Sequence, residues 1–287
     1  MDDLIQLLDL EQIEENIFRG RTADETLQRV FGGQVAGQAL VAAYRTIDGW
    51  GVHSLHSYFL RPGDASIPII YQVERIRDGR SFATRRVVAI QHGRPIFHLT
   101  ASFHVQEDGF EHHLPAPTNV PDPESLPDFR TRYAKVLPKA YLDRPRPIDI
   151  RVVPQSATTS STNGTGDSGS ADSPSMMHQF VWVKASGEVP DDPVLDACIL
   201  TYASDMTLLD SVNRPHGVSV FEPDLMMASL DHAMWFHRPF RTDQWLLYAQ
   251  DTPSASGARG LARGLIFQDD KLVVSVVQEG LIRRKTK

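Results

Sequence analysis

Cysteine is almost absent from this chain of 287 residues, in which Cys198 is the single thiol. One thiol cannot form an internal disulfide, and no group of cysteine and histidine residues has the spacing of a zinc site. Cys198 lies within an apolar segment, where a buried and inert thiol is the expected role. Because a chain without disulfides suits a reducing compartment, we expect a cytoplasmic protein.

Long apolar runs and an excess of basic residues are also missing. No run approaches the roughly 20 apolar residues that span a bilayer, so we expect no membrane span. Residues 1–18 carry acidic side chains and no sustained apolar core, which disfavours a signal peptide. A net charge of -7 disfavours general binding to nucleic acid.

The sequence also lacks the short motifs of several large enzyme classes. It has no G-x-S-x-G elbow, which disfavours the serine triad of the α/β-hydrolases. The glycine patterns of Walker and Rossmann nucleotide sites are absent too, since FGGQVAG at 31–37 matches neither. Candidate residues therefore have to be found from the organisation of the chain.

That organisation begins with one helix and a set of strands. The chain is long enough for two domains of roughly 100–150 residues, each with its own core. Small and apolar residues predict a helix at 34–47, directly after Gly32 and Gly33. Short β-rich runs separated by turns follow between 53 and 105 and predict an antiparallel meander. Residues 156–175 are rich in Ser, Gly and Thr and are predicted to be a disordered connector.

The same order of elements returns after the connector, which predicts an internal duplication. A constant shift of 177 positions places several residues of the first copy on identical residues of the second. These pairs are Phe59 and Phe236, Arg61 and Arg238, Pro62 and Pro239, Tyr71 and Tyr248, Arg86 and Arg263, and Gln91 and Gln268. We therefore expect an α+β fold in which each copy wraps an antiparallel sheet around its helix, and the two sheets can pair edge to edge.

The helix of the second copy has a well-marked start, because Asp192 precedes Pro193 and provides an acidic cap before a proline at the first helical position. Asp205 lies near its other end, at the edge of the predicted buried face. A solvated surface aspartate is one interpretation. The other is a desolvated carboxylate with hydrogen-bond donors or a raised pKa, which suits a group that orients or deprotonates water. Apolar residues at helical spacing define the buried face as a stripe of Leu195, Ile199, Tyr202, Met206 and Leu209.

Two further polar residues occur in only one of the two copies. Under the shift of 177, Gln278 falls on Ala101 and Ser229 falls on Val52. Polar groups in one of two equivalent frameworks are candidates for a single asymmetric site, although a surface glutamine and a turn serine are the simpler alternatives.

Histidines offer a different set of candidates. His56 and His232 take nearly equivalent places before aromatic strands, which favours a shared architectural role over catalysis.

Seven short segments occur in a fixed order along essentially the whole chain outside 156–175. They are FGGQVAGQAL (31–40), HSYFLRPGD (56–64), ASFH (101–104), PDD (190–192), YASD (202–205), DHAMWFHRPF (231–240) and QEG (278–280). In this order they resemble the acyl-CoA thioesterase II (TesB-like) family. The resemblance implies an α+β double hotdog fold and hydrolysis of fatty acyl-CoA to a free fatty acid and CoA, with no metal, no other cofactor and no covalent intermediate.

The resemblance also implies a division of labour along the chain. Together with the proline-rich segment 114–155 and the connector at 156–175, it predicts an N-terminal hotdog domain at 1–115, a linker at 116–175 and a C-terminal hotdog domain at 176–287. The catalytic residues of the family match Asp205, Ser229 and Gln278, so the C-terminal domain carries the site and the first copy is a structural partner. Ser229 stands where some members have threonine, which keeps the hydroxyl donor. The family further implies a homodimer or a homotetramer.

The implied chemistry is direct attack of water on the thioester carbonyl. Asp205 accepts the proton, while Gln278 and Ser229 fix the water through hydrogen bonds. We expect backbone N–H groups near a helix N-terminus to stabilise the oxyanion, and an apolar tunnel between helix and sheet to hold the acyl chain. A hotdog enoyl-CoA hydratase, which would pair Asp205 with a histidine, and a non-catalytic acyl-CoA-binding protein remain as alternatives.

Overall fold

The computed structural model of the chain describes residues 1–22, 29–144, 146–155 and 178–285. The predicted disordered connector at 156–175 lies outside these residues.

The first copy consists of a helix, α2, surrounded by strands. The segment that leads out of it contains a short 3-10 helix and two short α-helices. The elements are α1 (Asp2–Leu8), β1 (Glu11–Glu14), β2 (Ile17–Gly20), α2 (Gly32–Tyr44), β3 (Gly51–Phe59), β4 (Ile69–Asp78), β5 (Phe82–Gln91), β6 (Arg94–His104), the 3-10 helix Pro123–Ser125, α3 (Phe129–Tyr133) and α4 (Lys139–Leu142).

The second copy has the same plan around the helix α5 (Pro193–Ser204). It differs by a 3-10 helix and a short extra strand between α5 and the first long strand that follows it. The elements are β7 (Ile148–Val152), β8 (His178–Ala185), α5 (Pro193–Ser204), the 3-10 helix Leu209–His216, β9 (Leu225–Ser229), β10 (Asp231–Phe236), β11 (Leu246–Ser256), β12 (Arg259–Gln268) and β13 (Lys271–Arg284).

The strands form one continuous antiparallel sheet whose order reads the same from both ends. The order is β1-β2-β4-β5-β6-β3 in the first copy, continued by β10-β13-β12-β11-β8-β7 in the second. The two halves meet at β3 and β10, where His56 lies opposite Ala233. The Ser57 hydroxyl strengthens this seam by donating to the carbonyl of His232 at 2.8 Å. The predicted edge-to-edge pairing of the two sheets is therefore present.

The shift of 177 positions also relates individual hydrogen bonds of the two copies. The amide of Gln91 accepts from the backbone N–H of Asp64 at 2.8 Å and donates to its carbonyl at 2.8 Å. Gln268 brackets Arg241 in the same way, at 2.9 Å and 2.8 Å. Both glutamines hold the loop that leaves the central strand against the hairpin behind it. The duplication inferred from the sequence is therefore expressed in the structure, down to side-chain roles.

The predicted linker at 116–175 contains part of the second sheet. The strand β7 pairs with β8 in antiparallel register, with Ile150 opposite Val183. The second sheet therefore begins near Ile148, well before 176. No sequence pattern predicted this strand, because it lies in a segment rich in proline and has only a few apolar residues.

The predicted apolar stripe on α5 is wrong in its details. The helix ends at Ser204, so Met206 and Leu209 lie beyond it, and Leu195 and Tyr202 are only half-buried. Residues around the whole circumference of the helix are buried instead, because α5 lies between the sheet and α2. A helix that is covered on all sides has no single apolar face for periodicity to reveal. Its start is as predicted, since the Asp192 carboxylate accepts from the Val194 N–H at 2.9 Å.

The helices α2 and α5 approach each other very closely where α2 begins and α5 ends. A Cβ atom on Gly33 would lie 2.3 Å from the carbonyl oxygen of Tyr202 and 2.6 Å from the ring of Phe31. The Phe31 and Tyr202 rings pack edge to face beside this contact, with centroids 5.1 Å apart. Only glycine at position 33 permits this separation of the two helices.

Among the described residues, no helix is both long and apolar enough to cross a membrane.

Substituting Gly33→Ala should destabilise the protein, although alanine is the better helix former. The added methyl group collides with backbone and cannot be accommodated by a side-chain rotation, so we expect a loss of about 2 kcal/mol or more in the free energy of unfolding. Thermal or urea denaturation measures the change. Gly51→Ala is the matched control, because a Cβ there meets nothing within 4 Å and stability should stay within about 0.5 kcal/mol. Equal stability of the two variants would contradict the close helix contact.

Candidate active site

Asp205 is the residue that follows the last turn of α5, and it faces the first turn of α2. It caps the C-terminus of α5 with helical backbone angles. A Cβ atom on Gly32 would lie 2.7 Å from its Oδ2, so the glycine pair leaves the room that the carboxylate occupies. The backbone N–H of Gly33 donates to Asp205. The two halves of the chain thus meet at this carboxylate.

The structure brings the other two predicted residues to the same carboxylate. Gln278 Nε2 donates to Asp205 Oδ1 at 2.6 Å, and Ser229 Oγ donates to the same oxygen at 3.1 Å. Gln278 is fully buried in β13, and Ser229 ends β9, which pairs with β13 so that Ser229 lies opposite Gly280. Two neighbouring strands therefore deliver an amide and a hydroxyl to one carboxylate oxygen. No pattern in a single segment could have shown that these residues meet.

The environment of Asp205 raises its pKa to about 6. Loss of hydration is the main cause, and the hydrogen bonds from Gln278, Ser229 and Gly33 oppose it. Protein atoms surround the carboxylate closely, although part of the residue remains accessible to solvent. A carboxylate of this kind is ionised at neutral pH and is more basic than a surface aspartate, which fits a role as proton acceptor.

Asp210 is a second, half-buried carboxyl group near the site, and no sequence pattern indicated it. It lies in the 3-10 helix Leu209–His216, and its pKa is raised to about 7 by burial and by the charge of Asp205. The two groups are coupled, so protonation of one favours ionisation of the other. The spacing of Asp205 and Asp210 in the sequence gave no signal, because the chain leaves the helix between them.

A cavity of about 920 Å³ adjoins the site between the start of α2, the segment 129–155 and the residues after α5. Tyr202 and Met206, on either side of Asp205 in the sequence, both contribute to its wall. Its lining combines apolar and aromatic side chains with five arginines. These arginines are Arg29, Arg132, Arg144, Arg146 and Arg214.

The start of α2 adds backbone donors to the site. The residue before it, Phe31, provides no side-chain cap, whereas α5 is capped by the carboxylate of Asp192. The free N–H groups of a helix N-terminus carry partial positive charge and favour a negative ligand. This role of the FGGQVAG segment was not predicted from the sequence. Its glycine pair is the signal that could have pointed to it.

The positions of the first copy that correspond to Asp205, Ser229 and Gln278 do not hold a carboxylate, a hydroxyl or an amide. Ala101 stands for Gln278 and is fully buried in β6 opposite Leu55, while Val52 stands for Ser229. At the C-terminus of α2, where α5 has Asp205, Arg45 pairs with Asp9 instead. The described residues therefore hold this constellation in one copy only.

The two histidines of the central strands are not equivalent, contrary to the sequence-based interpretation. The shift of 177 places His232 on Leu55, and His56 one residue further along. Alternate residues of a strand face opposite sides of the sheet, so His232 is fully buried while His56 is exposed and contacts Trp235 edge-on. Across the described part of the chain, neither histidine donates to Asp205.

Cys198 is fully buried within α5, and burial raises the pKa of its thiol. It cannot serve as a nucleophile there, as predicted. In the ranges that the structure describes, no three His, Cys, Asp or Glu side chains are grouped to hold a metal ion.

Comparisons with known proteins agree with this picture. Residues 171–281 match the profile of the acyl-CoA thioesterase family, and residues 22–104 match the profile of the acyl-CoA thioesterase N-terminal domain. Acyl-CoA thioesterase 2 of Haemophilus influenzae is 41% identical over 99% of this chain and 98% of its own length.

Solved structures give the same result. The crystal structure of an acyl-CoA thioesterase II (TesB2) from Mycobacterium marinum is 45% identical, covers 99% of both chains and superimposes with a TM-score of 0.80. A hot dog fold protein from Alicyclobacillus acidocaldarius, 17% identical over 99% of both chains, reaches a TM-score of 0.76 and bears on the fold alone. The chain therefore belongs to the acyl-CoA thioesterase family, and its fold is the double hotdog expected from the sequence.

Proposed function

We propose that the protein hydrolyses acyl-CoA thioesters by direct attack of a water molecule oriented at Asp205. The observation that carries the proposal is the carboxylate itself. It is desolvated, has a pKa of about 6, accepts two side-chain hydrogen bonds and a backbone one, and lies in the chain between Tyr202 and Met206, which line a large cavity. Family membership supports the reaction type, and the geometry supports the roles of the residues.

The step begins with water bound between Asp205 and the thioester carbonyl. The water oxygen attacks the carbonyl carbon as Asp205 takes its proton, which gives a tetrahedral intermediate with a negative oxygen. The intermediate then collapses, the carbon–sulfur bond breaks, and the proton held by Asp205 passes to the leaving sulfur. The products are a carboxylic acid and the thiol of CoA, and no side chain forms a covalent bond.

Ser229 and Gln278 have a shared role in this step. Both donate to Oδ1 of Asp205, which fixes the plane of the carboxylate and directs Oδ2 toward the start of α2. A fixed base costs little reorganisation when the proton moves. In this proposal the oxyanion accepts from backbone N–H groups in the first turn of α2 other than that of Gly33, which donates to Asp205.

The cavity suits the rest of an acyl-CoA molecule. Its volume of about 920 Å³ lies within the usual range for sites that enclose a small ligand. Aromatic and aliphatic walls can hold an acyl chain, while the arginines offer planar donors to the phosphate groups of CoA.

The enoyl-CoA hydratase alternative lacks its required partner. Hydratases of this fold pair an aspartate with a histidine, whereas the donors to Asp205 within the described ranges are an amide, a hydroxyl and a backbone N–H. If the protein only bound acyl-CoA without hydrolysing it, replacing Asp205 would leave the background rate of hydrolysis unchanged. The homodimer or homotetramer and the cytoplasmic location inferred from the sequence stay predictions.

Substituting Asp205→Asn should abolish the proton acceptor and lower kcat for a long-chain acyl-CoA by at least about 100-fold. Release of CoA thiol, followed with a thiol reagent, measures the rate. Asp270→Asn is the matched control, because this exposed turn residue lies outside the site and should leave kcat unchanged. Full activity in Asp205→Asn would contradict the mechanism.

The same substitution should stabilise the folded protein at neutral pH. The pKa of Asp205 is higher in the folded state, about 6, than the ordinary value of 3.8, so the folded state loses stability from this group as the pH rises through 6. Asparagine cannot ionise, and we expect a gain of roughly 1–3 kcal/mol at pH 8. The gain should vanish near pH 4, where the aspartate is protonated in the folded state. Thermal melts at the two pH values test both statements, and an equal effect at both would contradict the desolvated carboxylate.

The pH dependence of kcat/KM should report the ionisation of Asp205. We expect a plateau at neutral pH and a tenfold fall per pH unit below about 6, because only the ionised form accepts a proton. Ser229→Ala removes a donor that lowers this pKa, so its profile should shift to higher pH, with kcat reduced about tenfold. Ser229→Thr keeps the hydroxyl and should keep the profile. A rate that is flat from pH 7 down to about pH 5 would show that the base is another group.

A further inference from the structure

His232 lies beside the glutamine of the site, on the neighbouring strand. The strands β10 and β13 pair so that Ala233 lies opposite Val277 and Met234 opposite Val276. One step further along the same antiparallel register, His232 lies opposite Gln278. Both side chains are fully buried, so they occupy the same covered face of the sheet.

Two polar atoms of this pair lack a hydrogen-bond partner among the described residues. They are Nδ1 of His232 and Oε1 of Gln278, and both are buried. The other nitrogen of the ring, Nε2, lies 2.8 Å from the hydroxyl oxygen of Ser204, and the other end of the amide donates to Asp205. An unpaired buried donor or acceptor costs free energy, so two of them on facing side chains call for a common explanation.

One placement of the ring proton satisfies both atoms. If His232 carries its proton on Nδ1, it donates to Oε1 of Gln278, while Nε2 accepts from the hydroxyl of Ser204. The Ser204 hydroxyl also lies 3.0 Å from the carbonyl oxygen of Thr201, so in this tautomer its one proton turns from that carbonyl toward Nε2 at 2.8 Å. The opposite tautomer would leave two acceptors, Nδ1 and Oε1, facing each other without a proton between them. The ring is neutral at physiological pH, since burial lowers the His232 pKa to about 4. Gln278 acts on this pKa in the opposite direction, as an acceptor from the ring does.

The first copy shows which residues occupy the positions of His232 and Gln278 when no site is present. Under the shift of 177, His232 falls on Leu55 and Gln278 falls on Ala101, and these two residues are also cross-strand partners. Both are fully buried. The fold therefore tolerates an entirely apolar pair here, and the polar pair of the second copy is not needed to close the sheet.

We propose that His232 is a positioning residue that holds the amide of Gln278 in the orientation that presents Nε2 to Asp205. The inference rests on the proposed function for its catalytic consequence. The chain of donors runs from Ser204 to His232, from His232 to Gln278 and from Gln278 to Asp205. No proton is transferred along it. Without the ring donor, the amide can flip and present its oxygen to the carboxylate, which removes a donor that lowers the pKa of Asp205.

The first test is the position of the ring proton in the wild-type protein. Nitrogen-15 chemical shifts of the His232 ring distinguish the two neutral tautomers in the folded enzyme. The His232 resonances are assigned as those that disappear from the spectrum of the His232→Asn variant. We expect the Nδ1–H form, with a shift of the Nδ1 resonance in Gln278→Ala. An Nε2–H ring in the wild-type protein would overturn the proposal, whatever the activity of the enzyme.

The second test is a kinetic cycle between His232 and Gln278. His232→Leu installs the residue of the first copy, and we expect kcat to fall about tenfold with KM changed less than twofold, because the substrate does not touch the ring. His232→Asn keeps an N–H donor toward Gln278 and should recover most of the rate. The double variant His232→Leu/Gln278→Ala should be no slower than Gln278→Ala alone, since the histidine acts through the glutamine.

Two further measurements distinguish a positioning role of His232 from a purely structural one. They are the pH dependence of kcat/KM and the effect of replacing His56 as a control. The midpoint of kcat/KM against pH should move to higher pH in His232→Leu. His56→Leu alters the exposed histidine on the adjacent strand and should change neither kcat nor the midpoint. Independent, multiplicative losses in the double variant would overturn the proposal. Wild-type activity in Gln278→Ala would instead contradict the proposed function of the site, and the ring tautomer would still decide the hydrogen bond.

Discussion

The close contact between the start of α2 and the end of α5 is the constraint on which the site depends. Gly33 allows the backbone of α2 to meet the carbonyl of Tyr202, and Gly32 leaves the space that Asp205 fills. The contact brings a carboxylate from one copy to the positive end of a helix from the other. Neither copy could form this arrangement alone, because each contributes a different helix end. The central pairing of β3 with β10 holds the two copies in the register that makes it possible.

A duplicated fold contains two such helix crossings, and within the described residues of this chain only one of them carries the candidate site. At the crossing that forms the site, Phe31 provides no side-chain cap for α2, and α5 ends in Asp205. At the opposite crossing, the start of α5 is closed by the carboxylate of Asp192, and α2 ends in Arg45. An anionic cap satisfies the N–H groups that a ligand or a carboxylate would otherwise use. The asymmetry of the molecule therefore comes from a small number of helix-end residues placed on a symmetric sheet.

The site combines features that cost stability with features that limit the cost. Burial of the Asp205 carboxylate is unfavourable, as the raised pKa shows, and Asp210 adds a second carboxyl group nearby. The hydrogen bonds from Gln278, Ser229 and Gly33 recover part of that free energy while they fix the orientation of the group. A desolvated and oriented carboxylate is a better proton acceptor than a solvated one. Desolvation of the Asp205 carboxylate therefore both lowers the stability of the fold and makes the group a better base.

The sequence alone determined the duplication, the strand runs and the start of α5, because these depend on local periodicity, capping and a constant shift between the copies. It also marked Gln278 and Ser229, since a duplicated framework shows which residues differ at equivalent places. The strand at Ile148–Val152, the burial of α5 on all sides and the presence of Asp210 near Asp205 were decided only by the tertiary structure. The same holds for His232, which the sequence paired with His56 although a single residue of offset turns the two to opposite faces of the sheet. Local patterns record what each segment favours, whereas the pKa of a carboxylate and the partner of an amide depend on which segments the fold brings together.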